Sequence, residues 1–419
     1  MTIARGKTIA VIGAGLIGVT LARRLQRDGC RVVLFDPDQP GMGCSFGNAG
    51  YVATDEILPL SHGISFSEVL KMLPDPLAPL TIRWRQIFSL IPWFLKFLAA
   101  SRPKQAAKSA AALAALQKGS LAAWNKLIRE EGLSQMVRRN GAMLVFESEA
   151  GFARESVKFP FLDQHNVKYE VLTGGQAREM IPELGPKVTN AIFYPRGFHV
   201  RDPLAVTRKI FDHFITAGGE YSAEKVTSFD HRGGLLKGLV TGQGRRQADA
   251  AVLCAGHQSG ELMRLIGIKA PLVAERGYHV VVDHKPLSFD MCLGSHERGF
   301  FITPMEDGLR LAGTVEFSPA GKELPANWKR ADILAHHLEE LMPGVAGAET
   351  SRWMGCRPTL PDFLPALGPA PGLENLYLSF GHQHLGLTLA PVCAEILSDL
   401  IAEGKTALDI SPFDIKRFQ

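Results

Sequence analysis

The residues whose types and spacing could do chemistry begin with Gly13, Gly15 and Gly18, which close the apolar run that starts at Thr8. In the order Gly-x-Gly-x-x-Gly they read as a strand turning into a helix. Gly13 permits the tight turn, Gly15 lets the backbone approach a pyrophosphate, and Gly18 lets the helix lie against the strand. The free N–H groups at such a helix start form an anion site. Glycines in this order can also mark a plain surface turn, so the surroundings decide. Val19, Leu21, Ala22 and Leu25 recur at helical spacing, Asp28-Gly29 supplies a C-cap, and a second strand from Arg31 to Phe35 ends in Asp36. A carboxylate at that point can accept hydrogen bonds from a ribose. The stretch predicts a strand-helix-strand unit that grips a dinucleotide through Gly13, Ala14, Gly15, Leu16, Ile17, Gly18 and Asp36.

Other stretches must close around such a ligand. After Asp36 the chain runs PDQPGMGCSFGNAGYVATDE, too rich in Gly and small polar residues for a helix or strand. It suits a loop wrapping a ligand, with Ser45, Asn48, Ala49 and Gly50 as contacts, although a flexible surface loop has the same composition. Glu224 to Val226 reads as an edge strand that brings Val226 to an adenine. Asp249 to Gly256 reads as a buried strand whose small last residues, Ala255 and Gly256, let the backbone come close to a nucleotide; an ordinary core strand would look alike. Near the end, Gly381-His382-Gln383-His384-Leu385-Gly386-Leu387-Thr388 opens a long final helix. His382 and His384 have no acidic or thiol partner close in sequence, so no metal site is expected.

At 419 residues the chain is too long for one core, and 46% hydrophobic residues suffice for two. A formal net charge of +4, with no run of Lys and Arg interleaved with aromatics, argues against nucleic acid. The six cysteines are scattered without a C-x-x-C pair, as idle thiols of a reducing compartment would be. The N-terminus enters the first strand almost at once, which leaves no room for a cleaved leader, and the expected location is the cytoplasm.

Between the nucleotide segments the character changes. Prolines at 59, 74, 76, 79 and 92 break Ile57 to Ala112 into short helices. Ile82 to Ala100 is unusually apolar and aromatic, yet Arg83, Arg85, Pro92 and Lys96 interrupt it too often for a membrane span. It reads either as an amphipathic pair lying on a membrane, with Trp84 and Trp93 at the interface, or as a buried helical cover for the site. Ala106 to Leu127 and Ala150 to His165 each read as a helix. Asp202 caps another, with the stripe Val206, Ile210, Phe211, Phe214 and Ile215. Strands at Gly141 to Glu147, Tyr169 to Leu172, Ala191 to Tyr194, Tyr278 to Asp283, Phe300 to Pro304 and Leu309 to Val315 lack a parallel rhythm and suggest a second, mixed or antiparallel sheet. The expected class is α/β, with a Rossmann-type domain from 1–56, 201–268 and 348–419 and a substrate domain from 57–200 and 269–347.

Taken in order, GAGLIG with Asp36, SFGNAGY from Ser45 to Tyr51, Cys254-Ala255-Gly256, Arg276-Gly277-Tyr278, Trp353-x-Gly355-x-Arg357-Pro358-Thr359 and GHQHLGLT form a recognisable set. The set resembles the FAD-dependent D-amino-acid oxidase-like enzymes, and within them the bacterial D-amino-acid dehydrogenases, over nearly the whole chain. The resemblance implies an FAD domain assembled from separated segments, with an antiparallel sheet covering the reactive face of the flavin. It implies a reaction in which the α-hydrogen of a D-amino acid leaves as hydride to flavin N5 and the imino acid is hydrolysed to a keto acid and ammonia. Such chemistry needs orientation more than a strong base, and Arg357 matches the family's carboxylate-binding arginine. A structural ion pair is the other use for an arginine there. His384 and the N–H groups of Leu385, Gly386, Leu387 and Thr388 are placed by the resemblance to favour the negative charge of reduced flavin.

The chain also departs from the pattern. Eukaryotic-type oxidases carry a Tyr before Ile-x-Pro, whereas Phe300 and Phe301 precede Ile302-Thr303-Pro304 here, so Tyr278 is the candidate to supply the missing hydroxyl. The FGNAG loop resembles dehydrogenases for cyclic D-amino acids such as D-proline or cis-4-hydroxy-D-proline. On the membrane reading of Ile82 to Ala100, its aromatic residues and flanking Arg and Lys let the protein sit on the inner membrane surface, with residues 82–100 as a peripheral contact, and pass electrons to a quinone or electron-transfer partner. An oxygen-using oxidase of the glycine or sarcosine oxidase type, an NAD-dependent dehydrogenase and a non-catalytic FAD-holding subunit are the alternatives.

Overall fold

The computed structural model describes residues 6–59, 77–320 and 324–419, without the side chain of Trp84. Pro74 and Pro76, expected as helix breakers, fall outside the described residues. Thr8–Ile12 sits in the middle of a six-stranded sheet ordered Glu220–Ser222, Arg31–Phe35, Thr8–Ile12, Ala250–Leu253, Leu376–Phe380 and Ala366–Pro369. All neighbours run parallel except the last pair. Both faces are covered, which is why these strands are almost wholly apolar. Ile9 and Val11 pack against the helices Leu16–Arg27, Pro203–Thr216 and Gly386–Glu403, while Ala10 and Ile12 face Phe229, Leu236 and Leu239 of a three-stranded sheet.

The edge strand is Glu220–Ser222, pairing with Val33 to Phe35, rather than the expected Glu224 to Val226. Glu224 turns its carboxylate onto Ser222, Thr241 and Arg246, and Val226 begins the three-stranded sheet instead.

The second sheet is mixed. Its order is Ala346–Thr359, Val273–His284, Gly308–Pro319, Phe300–Met305, Cys292–Ser295, Ala142–Phe146, Asn190–Tyr194 and Glu170–Thr173, with Leu80–Ile82 alongside Gly308–Pro319. The strands are antiparallel except where Cys292–Ser295 meets Ala142–Phe146 and Leu80–Ile82 meets its partner. One face packs on the helix Lys329–Leu341 through Tyr278, Val280, Phe300, Ile302, Leu334 and Leu338. The other face meets the glycine-rich loop after Asp36: His279 Nδ1 pairs with the Gly47 carbonyl at 3.0 Å, and the Thr303 hydroxyl donates to the Ala49 carbonyl at 2.9 Å.

The halves are divided differently from the expected residue ranges. Ala346–Thr359 pairs with Val273–His284 along its length, so residues 348–359 stay with the second sheet. The expected helix Ala106 to Leu127 is two helices, Pro103–Gln117 and Ser120–Glu130, parted at Lys118-Gly119. They belong to the core of the nucleotide half, where the Trp124 indole N–H is shared by the Leu387 and Thr388 carbonyls at 3.1 and 3.2 Å. Sequence continuity cannot reveal which core an apolar helix face will join. Ala150 to His165 also splits, into Glu149–Ser156 and Phe159–Gln164, with Pro160 in the first turn of the second.

The helix Ile87–Ala100 is covered on one side and bare on the other. Trp93 is buried, stacked on Phe97 and tilted against Phe317, and its indole N–H donates to the Thr359 carbonyl at 3.3 Å. It therefore does not stand at an outer interface as the membrane reading required; the outer face carries Phe88 (83% exposed), Leu95 (62%), Ile91 (42%) and Leu98 (36%) instead.

Candidate functional site

The glycine turn has the backbone geometry that its residues demand. Gly13 has φ +107°, and a Cβ there would stand 2.5 Å from the Cys254 carbonyl oxygen. A Cβ at Gly18 would fall 1.8 Å from the Gly13 carbonyl oxygen, so helix and strand touch backbone to backbone. Gly15 is the N-cap of Leu16–Arg27 and lends no side chain, leaving the first N–H groups to outside partners. The Leu16 N–H donates to Ser45 Oγ at 2.9 Å, and the Ala14 N–H donates to Asp36 Oδ2 at 2.7 Å. Asp36 Oδ1 accepts from the Asp38 N–H at 3.0 Å, so this carboxylate also braces the turn. Burial raises its pKa, against the two N–H groups that lower it.

One continuous cavity runs along this turn to the second sheet. Gly13, Gly15, Leu16, Ile17, Asp36, Ser45 and Asn48 border it, as do Val226, Ala255, Gly256, His384, Gly386 and Leu387, together with Arg357 and Tyr278. Ala14, Gly18, Ala49, Gly50, Leu385 and Thr388 do not. Ala14 and Gly18 shape the turn, and Ala49 is pinned by Thr303. Gly50, at φ +70°, lets the Val200 strand pass where a Cβ would meet its carbonyl at 2.5 Å. Leu385 is core, and Thr388 Oγ1 accepts from the Ala53 N–H at 3.0 Å.

The wall facing the glycine turn comes from two neighbouring strands in which Gly277 and Gly355 are direct partners. Bare backbone there lets flat groups lie on the sheet. The Arg357 guanidinium crosses Gly277, where a Cβ would stand 2.4 Å from its Cζ, and the Trp353 indole covers Gly355, where a Cβ would stand 1.9 Å from the ring. Trp353 is held by His279, stacked at 5.3 Å, and by the edge of Phe46 at 5.9 Å. Arg357 Nη1 donates to Glu275 Oε1 at 3.0 Å, and the Thr359 hydroxyl donates to Glu275 Oε2 at 2.8 Å. Glu275 is nearly fully buried, whereas the Arg357 side chain is 24% exposed. One part of the fork is thus anchored, and the rest is open to the cavity. The hydroxyl of Tyr278 serves elsewhere: it accepts from the Asn327 N–H at 3.0 Å and lies 3.4 Å from Glu316, which pairs with Arg276 at 2.6 Å.

The C-terminal turn supplies the remaining polar groups. Gln383 holds φ +47°, and Gln383 Oε1 and His382 Nε2, both nearly buried at the cavity edge, have no partner among the described residues. Burial pushes His382 down to about 3, so its ring is neutral. His384 turns much of its ring into the cavity. Its pKa is lowered, chiefly by burial and further by Arg357, with Glu56 and Glu275 acting in the opposite sense. The lowered value favours a neutral imidazole over a cation beside the N-terminus of Gly386–Glu403.

Two long helices therefore aim their N-termini at one cavity, with orphaned buried polar atoms between them. A nicotinamide dinucleotide needs one such terminus; FAD uses one for its pyrophosphate and can use a second beside the pyrimidine edge of its ring. The residues fit FAD. The sequence reading missed Glu275 and Trp353 as site residues. An isolated glycine inside an apolar strand, as at Gly277, is the signal for a close approach; the Glu275 partner lies 82 residues from Arg357 and leaves no local trace.

Comparison with known proteins agrees with the geometry. A family model described as FAD dependent oxidoreductase (DAO) matches residues 8–400. A D-amino-acid oxidase of Bradyrhizobium diazoefficiens is 32% identical over 420 residues, covering 99% of this chain and 99% of the relative. A D-amino acid dehydrogenase of Sinorhizobium medicae is 29% identical, covering 98% of this chain and 99% of the relative. Among solved structures, L-proline dehydrogenase from P. horikoshii matches with a TM-score of 0.76 at 19% identity, over 99% of this chain and 98% of that one. Glycine oxidase from Geobacillus kaustophilus matches with a TM-score of 0.75 at 21% identity, over 98% and 99%. At those identities the structural likeness is one of fold.

Proposed function

Because this chain belongs to the FAD-dependent oxidoreductase family and is an amino-acid-oxidising flavoenzyme, we propose that it oxidatively deaminates a D-amino acid and hands the electrons to an acceptor other than oxygen. The observation that carries the substrate reading is the Arg357 fork lying on Gly277, across one cavity from the glycine turn. Glu275 and Thr359 hold one part of the guanidinium, and the part left open can pair with a carboxylate, which fixes the α-carbon against the cavity. Bound FAD supplies the acceptor for the hydride that leaves that carbon. The neutral His384 ring can donate a hydrogen bond toward developing negative charge, and the N–H groups at the start of Gly386–Glu403 add their dipole. Anaerobic titration with a panel of D-amino acids, including D-proline and cis-4-hydroxy-D-proline, should bleach the flavin. A protein that holds FAD but is bleached by none of them would overturn the D-amino-acid reading.

For the acceptor, a quinone or electron-transfer partner reached at an anionic lipid surface fits best. Phe88, Ile91, Leu95 and Leu98 form one exposed stripe, and from Leu77 to Arg129 the chain has nine Lys and Arg and no Asp or Glu. An apolar stripe on a stretch of chain with an excess of positive charge is what a peripheral helix offers to acidic headgroups. On this reading the enzyme sits on the inner face of the cytoplasmic membrane. Turnover with a dye or quinone should far exceed turnover with oxygen alone, and the protein should sediment with anionic but not neutral vesicles. Rapid peroxide formation with oxygen as sole acceptor would make it an oxidase, and indifference to anionic vesicles would remove the lipid contact.

A further inference from the structure

A second cavity, of about 50 Å³, lies beside the first and has no part in the chemistry described so far. Its walls include Tyr51, Phe301 and Tyr194, and its polar end holds Asp55, Glu56 and the Glu155–Lys158 pair at 2.8 Å. Tyr51 donates its hydroxyl proton to Asp55 in a short hydrogen bond, and the Tyr51 and Phe301 rings meet at 5.9 Å. Lys158 is already matched by Glu155, so Asp55 and Glu56 leave the cavity with an excess of acid.

Strand register shows which way this cavity faces. Directly paired residues share one face of a sheet, and His279, Ala312, Phe301, Gly294 and Leu144 are such partners from strand to strand. Phe301 is therefore on the same face as His279, the face that carries Gly277 and the Arg357 fork. The loop from Ser45 to Tyr51 runs from one cavity to the other, with Asn48 bordering the first and Tyr51 bordering the second. Two strand spacings, about 10 Å, separate the strand under the fork from the strand of Phe301. Glu56 is also close enough to His384 to act on its charge.

We propose that this cavity receives the far end of the substrate side chain, with Asp55 accepting a hydrogen bond from a terminal ammonium or hydroxyl while Arg357 holds the carboxylate. The proposal rests on the amino-acid reading above and narrows it to side chains whose end donates a hydrogen bond. An unpaired methyl would leave Asp55 without a ligand partner, and polar sites reject analogues that cannot make the bond.

D-ornithine, 5-hydroxy-D-norvaline and D-norleucine place an ammonium, a hydroxyl and a methyl at one side-chain position, and so separate the two donors from an end that cannot donate. Anaerobic flavin reduction should give a reduction rate constant over Kd at least about tenfold higher for a donor end than for D-norleucine. Flavin difference spectra with α-methyl-D-ornithine and α-methyl-D-norleucine, which have no α-hydrogen to lose, should show the same order in Kd. Asp55→Leu should bring the ends to within about threefold of each other, and Asp55→Asn, which keeps shape and an acceptor, should retain the hydroxyl preference while weakening the ammonium one. Equal values for all three ends in the unaltered enzyme, or a ratio unmoved by both substitutions with FAD retained, would overturn the proposal. Failure of every D-amino acid to reduce the flavin would instead overturn the underlying substrate reading.

Discussion

The two walls of the main cavity are built on opposite principles. The nucleotide wall, from Gly13 to Asp36, is one continuous crossover whose donors are main-chain N–H groups, and its requirement is the absence of side chains. The facing wall takes Glu275 and Gly277 from one strand and Trp353, Arg357 and Thr359 from another, and its donors are side chains held by one another. A wall of the first kind fails when an atom is added; a wall of the second kind fails when a charge is removed.

Substitutions can separate the two. Arg357→Ala should have the largest effect, a loss of about 2–5 kcal/mol or roughly a thousandfold in kcat/KM with FAD still bound, since the substrate carboxylate would be desolvated without its cation. Unchanged kinetics would show that another cation holds the carboxylate. Gly13→Ala should do the converse, because φ +107° and the Cys254 carbonyl both exclude a Cβ. The strain, about 1–3 kcal/mol, should appear as a lower Tm and a ten- to hundredfold loss of FAD affinity, read by fluorescence of released flavin. Retained flavin would show that the turn can relax.

Glu275→Gln keeps shape and removes charge, so KM should rise about tenfold while kcat changes less, because the fork loses its anchor but not its substrate bond. Equal falls in kcat with no change in KM would place Glu275 in the transition state instead. The smallest expected effect is one of pH. Burial, with Glu56 and Glu155 adding to it, pushes Asp55 up to about 7, while the Tyr51 hydroxyl lowers it; Lys158, Tyr194 and Cys292 also face the same cavity. The carboxyl is neutral below that value and ionised above it, so a preference for an ammonium end is present above about 7 and is lost as pH falls through it. The D-ornithine to D-norleucine ratio should therefore rise about three- to tenfold between pH 6 and 8. A flat ratio would mean that Asp55 does not meet the side chain.

The nucleotide wall was legible because its residues act through local backbone geometry: a tight turn, a helix start and a following acid at short spacing allow few other conformations. Gly13, Gly15, Asp36 and Ser45 stand where that pattern put them, and the capped helix after Asp202 formed as its residues require. The same locality explains what stayed open. The aromatic character of Trp93 suits a membrane interface and a buried cover equally, and burial depends on which neighbour arrives, here Phe317 and the Thr359 carbonyl.

What the sequence by itself determined is the α/β crossover, the second sheet and, through its assembled motifs, a flavin-binding chain with Arg357 as its candidate fork. Only the tertiary structure decided that Glu275 anchors that fork, that the Tyr278 hydroxyl belongs to Glu316 and Asn327, and that residues 348–359 and the helices from Pro103 to Glu130 change halves. Those outcomes rest on contacts between residues far apart in the chain, and such contacts exist only once strand register and helix packing have brought the residues together.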